Sequence, residues 1–508
     1  MNSSEISILL TMILYLFGMV YVGWLVSKRN NTVNDFYIGG RKLGPFVTAM
    51  SAEASDMSSY LLMGLPGLAY LSGVADVGWT IVGLVAGTYL NWLITAKRLR
   101  RYSEATGSIT VPSFFSRRYD DEKNILMLIS ALWIVVFFIP YTASGFAACG
   151  KLFRSLFGVD YHVAMIVAAV VILLYTTLGG FLAASTTDLI QSIVMSIALI
   201  IILVFGLQLA GGFTNVIDNA SELPGYFSLT ETFDPVHNKA SHFSVVSIIS
   251  TVAWGLGYFG MPHILLRFMA IEDDSKLKLS RRIASVWALI SMMVSVMIGI
   301  IGLGITNRGR FPILNGAQSE TIFIELSKIL SKYGIFAAII AGIVLSGILA
   351  STMSTSDSQL LAASSSISTD ILVDFFHVKY SQKKLMVISR ITIILIAILG
   401  VIIAWNPDSS VFAIVSFAWA GLGAAFGPVM ILALFWRRSN KYGAIAGLIS
   451  GGAFVFIWKF FVRPLGGMFD IYEILPAFIF ALLVEVIVSL LTPPPSQDIV
   501  EQFDSIKK

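Results

Sequence analysis

The chain has 508 residues, of which 56% are hydrophobic and only 13% charged. Soluble proteins carry roughly 25% charged residues, so this composition sets aside soluble enzymes, nucleic-acid binders and disordered chains. A net charge of +4 is too small to demand an acidic partner, and the single cysteine, Cys149, excludes an intrachain disulfide framework or a cysteine-rich metal site. What remains is an all-α polytopic membrane protein.

Apolar stretches of about 20 residues, the length that crosses a bilayer, recur along the whole chain. They predict about thirteen spans, at 6–27, 44–72, 77–97, 124–155, 162–184, 187–211, 243–268, 282–306, 334–366, 384–404, 409–436, 442–462 and 472–492. The first has no basic residue before it and is too long for a cleaved signal peptide. Basic residues gather on the cytoplasmic side of membrane proteins. With the N-terminus outside, 25 of the 34 Lys and Arg fall on one side, Arg29, Arg41, Arg267, Lys507 and Lys508 among them. This predicts an external N-terminus and a cytoplasmic C-terminus in the plasma membrane. The 212–242 connection is read as an external loop, and the tail beyond Pro493–Pro495 as short and disordered.

Three spans depart from plain Ile/Leu/Val/Phe helix. The second carries Glu53 and Asp56 among Ser51, Ser55, Ser58 and Ser59, followed by Gly64 and Pro66-Gly67. Intramembrane carboxylates are costly unless they face a cavity or the bundle interior. Ser and Asp also compete for backbone hydrogen bonds, so an unwound centre is expected. The seventh holds Gly255, Gly257, Gly260 and Pro262 beside Trp254, a second predicted break. The breaks lie five spans apart, the spacing of an inverted repeat of spans 2–6 on spans 7–11, and paired broken helices mark transporter binding sites. The ninth packs six hydroxyls and Asp357 into residues 351–358. Ser354 and Thr355, facing freed carbonyls of span 2, would form an oxygen cage for a hard monovalent cation such as Na+. Polarity confined to mid-membrane in a few helices argues against a channel, which needs a continuous polar path. No nucleophile, metal or acid–base constellation suggests an enzyme.

At these residues the chain resembles the sodium/solute symporter family, in particular its proline-transporting members. The matching stretches are Ser55-Asp56-Met57-Ser58, 61–67, 179–183, Thr187-Asp188, 254–260, 262–265 and Met353-Ser354-Thr355, in order over most of the chain. The resemblance implies a LeuT-type 5+5 inverted-repeat core. It divides the chain into an extra N-terminal helix (1–43), repeats at 44–211 and 243–437 about the 212–242 loop, and two extra helices with the tail (438–508). It implies Na+-coupled import of L-proline by alternating access; the alternative is a Na+ symporter for another amino acid or small carboxylate. It implies Na+ bound by carbonyls of Ala54, Met57 and Ser351 and hydroxyls of Ser354 and Thr355, with Asp56 and Asp188 in ion coupling. Substrate would meet Ser58, Gly64, Tyr141, Trp254 and Pro262. Partners would be L-proline, Na+ and membrane lipid, with no nucleic acid and no required oligomer. Glu53 would stand as a titratable group near the cation.

Overall fold

The computed structural model describes residues 2–28 and 33–506. Arg29, Lys507 and Lys508, counted above among the charges of one side, lie outside the described residues. The chain is almost wholly helical. Among the described residues, ten helical segments are long and apolar enough to cross a membrane, and a bent pair brings the number to eleven. The first is α1 (Ser3–Ser27), started by an Asn2 capping box with Glu5.

The predicted second span is divided into α2 (Pro45–Ser59), a π-helical turn (Tyr60–Gly64) and α3 (Leu65–Ser72). The divide falls at Ser58, whose φ of 46° and ψ of −170° interrupt the helix. Next comes α4 (Val74–Leu90), continued to Ala105 by a π turn and a further helix. Then follow α5 (Ile125–Phe157), with Pro140 inside it, and α6 (Tyr161–Leu209). At about 1.5 Å per residue a helix as long as α6 would overrun a bilayer twice. It is broken at Gly180, where φ is 64° and ψ −175°, a conformation open chiefly to glycine. The predicted junction of 184–187 is therefore helical, and Ser185, Thr187, Asp188 and Gln191 are buried there.

The predicted break in span 7 is present. Helix α7 (Val245–Val252) runs into a 3-10 segment (Ala253–Gly260), and α8 (Pro262–Ala270) leaves at 47°. Met261 between them is extended, at φ −79° and ψ 106°, and Pro262 takes the first helical position, where its missing N–H is no loss. The remaining long helices are α9 (Leu277–Asn307), α10 (Ile335–Ser365), α11 (Gln382–Ile403), α12 (Val411–Phe435), α13 (Lys441–Ile457) and α14 (Ile474–Leu491). Ser381, Ser410 and Asn440 cap α11, α12 and α13 with side-chain oxygens on otherwise orphaned amides.

Helices α2, α5, α6 and α10 pack on one another, with α1 laid across α6 and α10 and the α13–α14 pair along α12. Leu14 and Phe17 on α1 and Leu395 and Ile402 on α11 stay exposed, as a lipid-facing surface requires. The 212–242 connection is not plain loop. It forms a helix (Phe213–Ser221) and a hairpin of β1 (Glu231–Asp234) and β2 (Lys239–His242), paired Glu231 to His242 and Asp234 to Lys239. The tail is likewise ordered, contrary to the expectation of disorder: α15 (Gln497–Ser505) buries Phe503 under the Arg118 guanidinium, 4.9 Å from the ring, and Asp504 pairs with Arg437 at 2.9 Å.

Candidate functional site

The cage is built where α2 meets α10. Small residues along this contact let the backbones approach, and all of Ser351–Ser358 is buried. The Ser354 hydroxyl donates to the Ala54 carbonyl across the two helices at 2.7 Å. It also reaches the Ser351 carbonyl at 3.3 Å, and the Thr355 hydroxyl donates to the same carbonyl at 3.1 Å. Ala54, Ser351, Ser354 and Thr355 are thus brought together through four oxygens with no carboxylate among them. Met57 lies one turn on, and its carbonyl receives the Tyr60 N–H at the Ser58 break.

On the other side of that break is a small cavity lined by Asp56, Met57, Tyr60, Leu84, Tyr141, Trp254, Val415 and Trp419. Tyr141, directly after Pro140, donates to the Asp56 carbonyl at 3.2 Å. Tyr258, on the 3-10 segment, donates to the Asp56 carboxylate at 2.5 Å. Asp56 therefore faces the cavity and joins both broken helices. The Trp254 ring packs on Phe412 (5.5 Å between centroids) and Tyr60 (5.9 Å), and its carbonyl takes the Trp419 indole N–H at 2.8 Å. Ser58 directs its oxygen to the Tyr60 N–H. Gly64 lies against the aromatic group, where a Cβ would stand 3.2 Å from the Tyr60 ring. Pro262 is buried at the start of α8 and is not among the residues lining the cavity. Tyr60, Leu84, Val415, Trp419 and Tyr258 were not singled out from sequence. Aromatic and aliphatic side chains in apolar helices carry no signal of which face they occupy.

Asp188 is in neither group of residues. It is fully buried, accepts the Ser51 hydroxyl at 2.7 Å and pairs with Arg267 at 3.1 Å. Arg267 also donates to the Ser51 hydroxyl (3.0 Å), the Ser358 hydroxyl (2.5 Å) and the His263 carbonyl (2.8 Å). Ser51 and Ser358 lie on the same helices as Ala54 and Ser354, one turn away, so this network adjoins the cage. Arg267, counted among the charges of one side, is a buried ion-pair partner. Glu53, next to Ala54, accepts from the Thr88 hydroxyl on α4 (3.0 Å) and from the Trp92 indole (3.4 Å).

Further contacts tie elements together at the two ends of the bundle. At the end rich in Arg and Lys, Leu43 pairs its backbone with Ala270 and Glu272, and Arg41 donates to the Met269 and Ser108 carbonyls at 2.6 Å each. At the opposite end, buried Glu320 pairs with Lys151 at 2.7 Å and accepts from the Ser410 hydroxyl and the Val411 and Phe412 amides. That carboxylate sits on the positive end of α12.

Two broken helices, a cluster of neutral oxygens where α2 meets α10 and an aromatic cavity beside the break are the parts of a cation-coupled carrier. Structural comparison agrees on the fold. The chain matches a Na+-coupled sialic acid symporter in a substrate-bound outward-open state (TM-score 0.79, 19% identity, 97% of this chain and 99% of that one). It also matches Mhp1, a nucleobase-cation-symport-1 family transporter in a closed conformation with bromovinylhydantoin bound (TM-score 0.58, 16% identity, 92% and 98%). Residues 36–451 match the sodium:solute symporter family, and the chain belongs to it. It is a Na+-coupled secondary transporter and not an enzyme. Similar over almost their whole lengths are the osmoregulated proline transporter of Bacillus subtilis strain 168 (40% identity, 99% of both chains) and the sodium/proline symporters of Salmonella typhimurium and Escherichia coli K12 (41% each, 97% of this chain and 95% of theirs).

Proposed function

We propose that the protein imports L-proline with Na+ across the plasma membrane, with its N-terminus outside, its C-terminus in the cytoplasm and thirteen spans. The thirteen are the eleven counted above, the broken α2–α3 segment, and the leg of α6 before Gly180. The spans fall into the extra first helix, repeats at 44–211 and 243–437 about the outer 212–242 segment, and the C-terminal pair with its tail. The observation that carries the proposal is the bond from Ser354 to the Ala54 carbonyl, one turn from the break that faces the aromatic cavity.

Na+ would displace that hydroxyl proton from its carbonyl and take oxygens of Ala54, Met57, Ser351, Ser354 and Thr355. This ties α2 to α10 and fixes the break at Ser58. Proline would then lie between the break and Trp254. Its carboxylate would face amides released at Ser58 and near Gly64, where a half-helix begins with its positive end. Its ring would meet Tyr141 and Trp254, and Pro262 would set the direction of α8 below the site. Asp56 couples the two ligands, since it joins Tyr258 of one broken helix to the break in the other. Asp188, with Arg267, would receive Na+ on its way inward. The membrane potential contributes about 2.3 kcal/mol per charge per 100 mV.

Competition against labelled proline uptake by a panel of amino acids and small carboxylates tests the substrate. Unlabelled L-proline is expected to compete best. A different solute competing at lower concentration would replace proline in the proposal while leaving Na+ coupling in place.

A further inference from the structure

The α13–α14 pair stands outside the two proposed repeats, yet the turn joining its helices touches Trp254, one of the residues that line the aromatic cavity. The Tyr472 ring stacks on Trp254 with centroids 4.9 Å apart and planes at 27°, closer than any other ring in the Trp254 cluster. Its hydroxyl donates to the Ser416 carbonyl on α12 at 2.5 Å, and its backbone N–H to the Ser250 hydroxyl on α7 at 2.6 Å. One buried residue thus bridges the outer half of the broken seventh span and the helix that carries Val415 and Trp419.

The turn holds this position by its own interactions. The fully buried Glu473 carboxylate pairs with Lys459 at 3.1 Å and with Arg463 at 2.9 Å, both just after α13. The Trp458 indole donates to the Ile471 carbonyl at 3.0 Å. A buried carboxylate with two cations and a neighbouring indole bond makes a stiff platform. Helices α13 and α14 both pack along α12, as does the 3-10 segment that carries Trp254. Tyr472 joins this group to α7 through the Ser250 bond and lies on the 3-10 segment through the Trp254 stack.

We infer that the turn between the two C-terminal helices is part of the outer gate, and that Tyr472 is a positioning residue that closes it by holding Trp254 over bound substrate. The inference rests on the placement of substrate beside Trp254 proposed above. It gives the C-terminal pair a role in substrate retention in addition to bundle packing.

The test is binding of labelled L-proline to the purified full-length protein at saturating Na+, read as affinity, dissociation rate and number of sites. Tyr472→Phe keeps the ring and loses the Ser416 bond, and is expected to stay within about threefold of the parent affinity. Tyr472→Leu loses the ring and is expected to release proline about tenfold faster and bind it about tenfold more weakly, with the number of sites unchanged, because loss of a lid acts on dissociation. Ser250→Ala removes only the tie to α7 and is expected to speed release about threefold, which keeps the test decisive if the leucine variant does not fold. Unchanged dissociation in Tyr472→Leu, or in Ser250→Ala where the leucine variant is lost, overturns the inference. So does a loss of sites at unchanged affinity, which would mark a purely structural role. Absence of Na+-dependent proline binding by the unaltered protein would instead overturn the substrate assignment, and the same dissociation comparison would then be run with the solute that wins the competition panel.

Discussion

At the scale of single residues, the cage and the ion pair beside it make opposite demands. The oxygens of the proposed Na+ site are neutral, so removing one hydroxyl there is expected to weaken ion binding without leaving a bare charge. Ser354→Ala and Thr355→Ala are each predicted to raise the Na+ concentration for half-maximal uptake by about tenfold, the effect of losing one bond to a charged group. The Asp188–Arg267 pair is buried, so Asp188→Asn removes the carboxylate bonded to the guanidinium and leaves Asp357 as the other acid near it; the change is predicted to cost up to about 3 kcal/mol. Thermal unfolding in detergent should show that loss as a clear drop in Tm. The acids near mid-membrane were legible as exceptions in the sequence, but their directions were not. Glu53 and Asp56 are three residues apart, yet one side chain meets Thr88 on α4 and the other meets Tyr258. Glu53→Gln keeps an oxygen for Thr88 and is predicted to leave half-maximal Na+ unchanged within about twofold, whereas a Glu53 ligand in the cage would move it far more. Arg267 shows the converse difficulty. A lone basic residue near a span end has the same signature whether it faces the cytoplasm or a buried aspartate.

At the scale of elements, both broken helices were foreseen, one from its serines and carboxylates and one from its glycines and proline. The break in α2 falls on Ser58, not on a glycine, and its φ of 46° is one that costs an ordinary residue about 1–3 kcal/mol. Ser58→Gly is therefore predicted to raise Tm while weakening proline binding, since it relieves the backbone and removes the hydroxyl. A lowered Tm would contradict the strain. The 3-10 segment after α7 is held against α4 at backbone distance. A Cβ on Gly87 would stand 2.3 Å from the Gly255 carbonyl oxygen. Gly87→Ala is predicted to destabilise by about 1–3 kcal/mol, seen as a fall in Tm with loss of uptake. The turn at Gly180 was the element placed least well. The predicted spans leave a connection at 184–187, but Ser185 and Thr187 are buried within helix, and the interruption falls at the glycine before them.

At the scale of the whole molecule, charge scarcity was enough to assign the class, and the spacing of the two breaks was enough to suggest the repeat. The ties at the two ends of the bundle were not legible, because they depend on contacts between residues far apart in sequence, such as Arg41 with Met269 and Glu320 with Lys151. Nor was the order of the tail, whose helix is fixed by Phe503 against Arg118 and Asp504 against Arg437. The most direct test is labelled proline uptake into proteoliposomes containing the full-length protein, with and without an inward Na+ gradient. Uptake that accumulates proline with the gradient and collapses to the level of empty vesicles without it is the result predicted here. Equal accumulation in the two conditions would contradict Na+ coupling, and with it the role assigned to the Ala54–Ser354 cage.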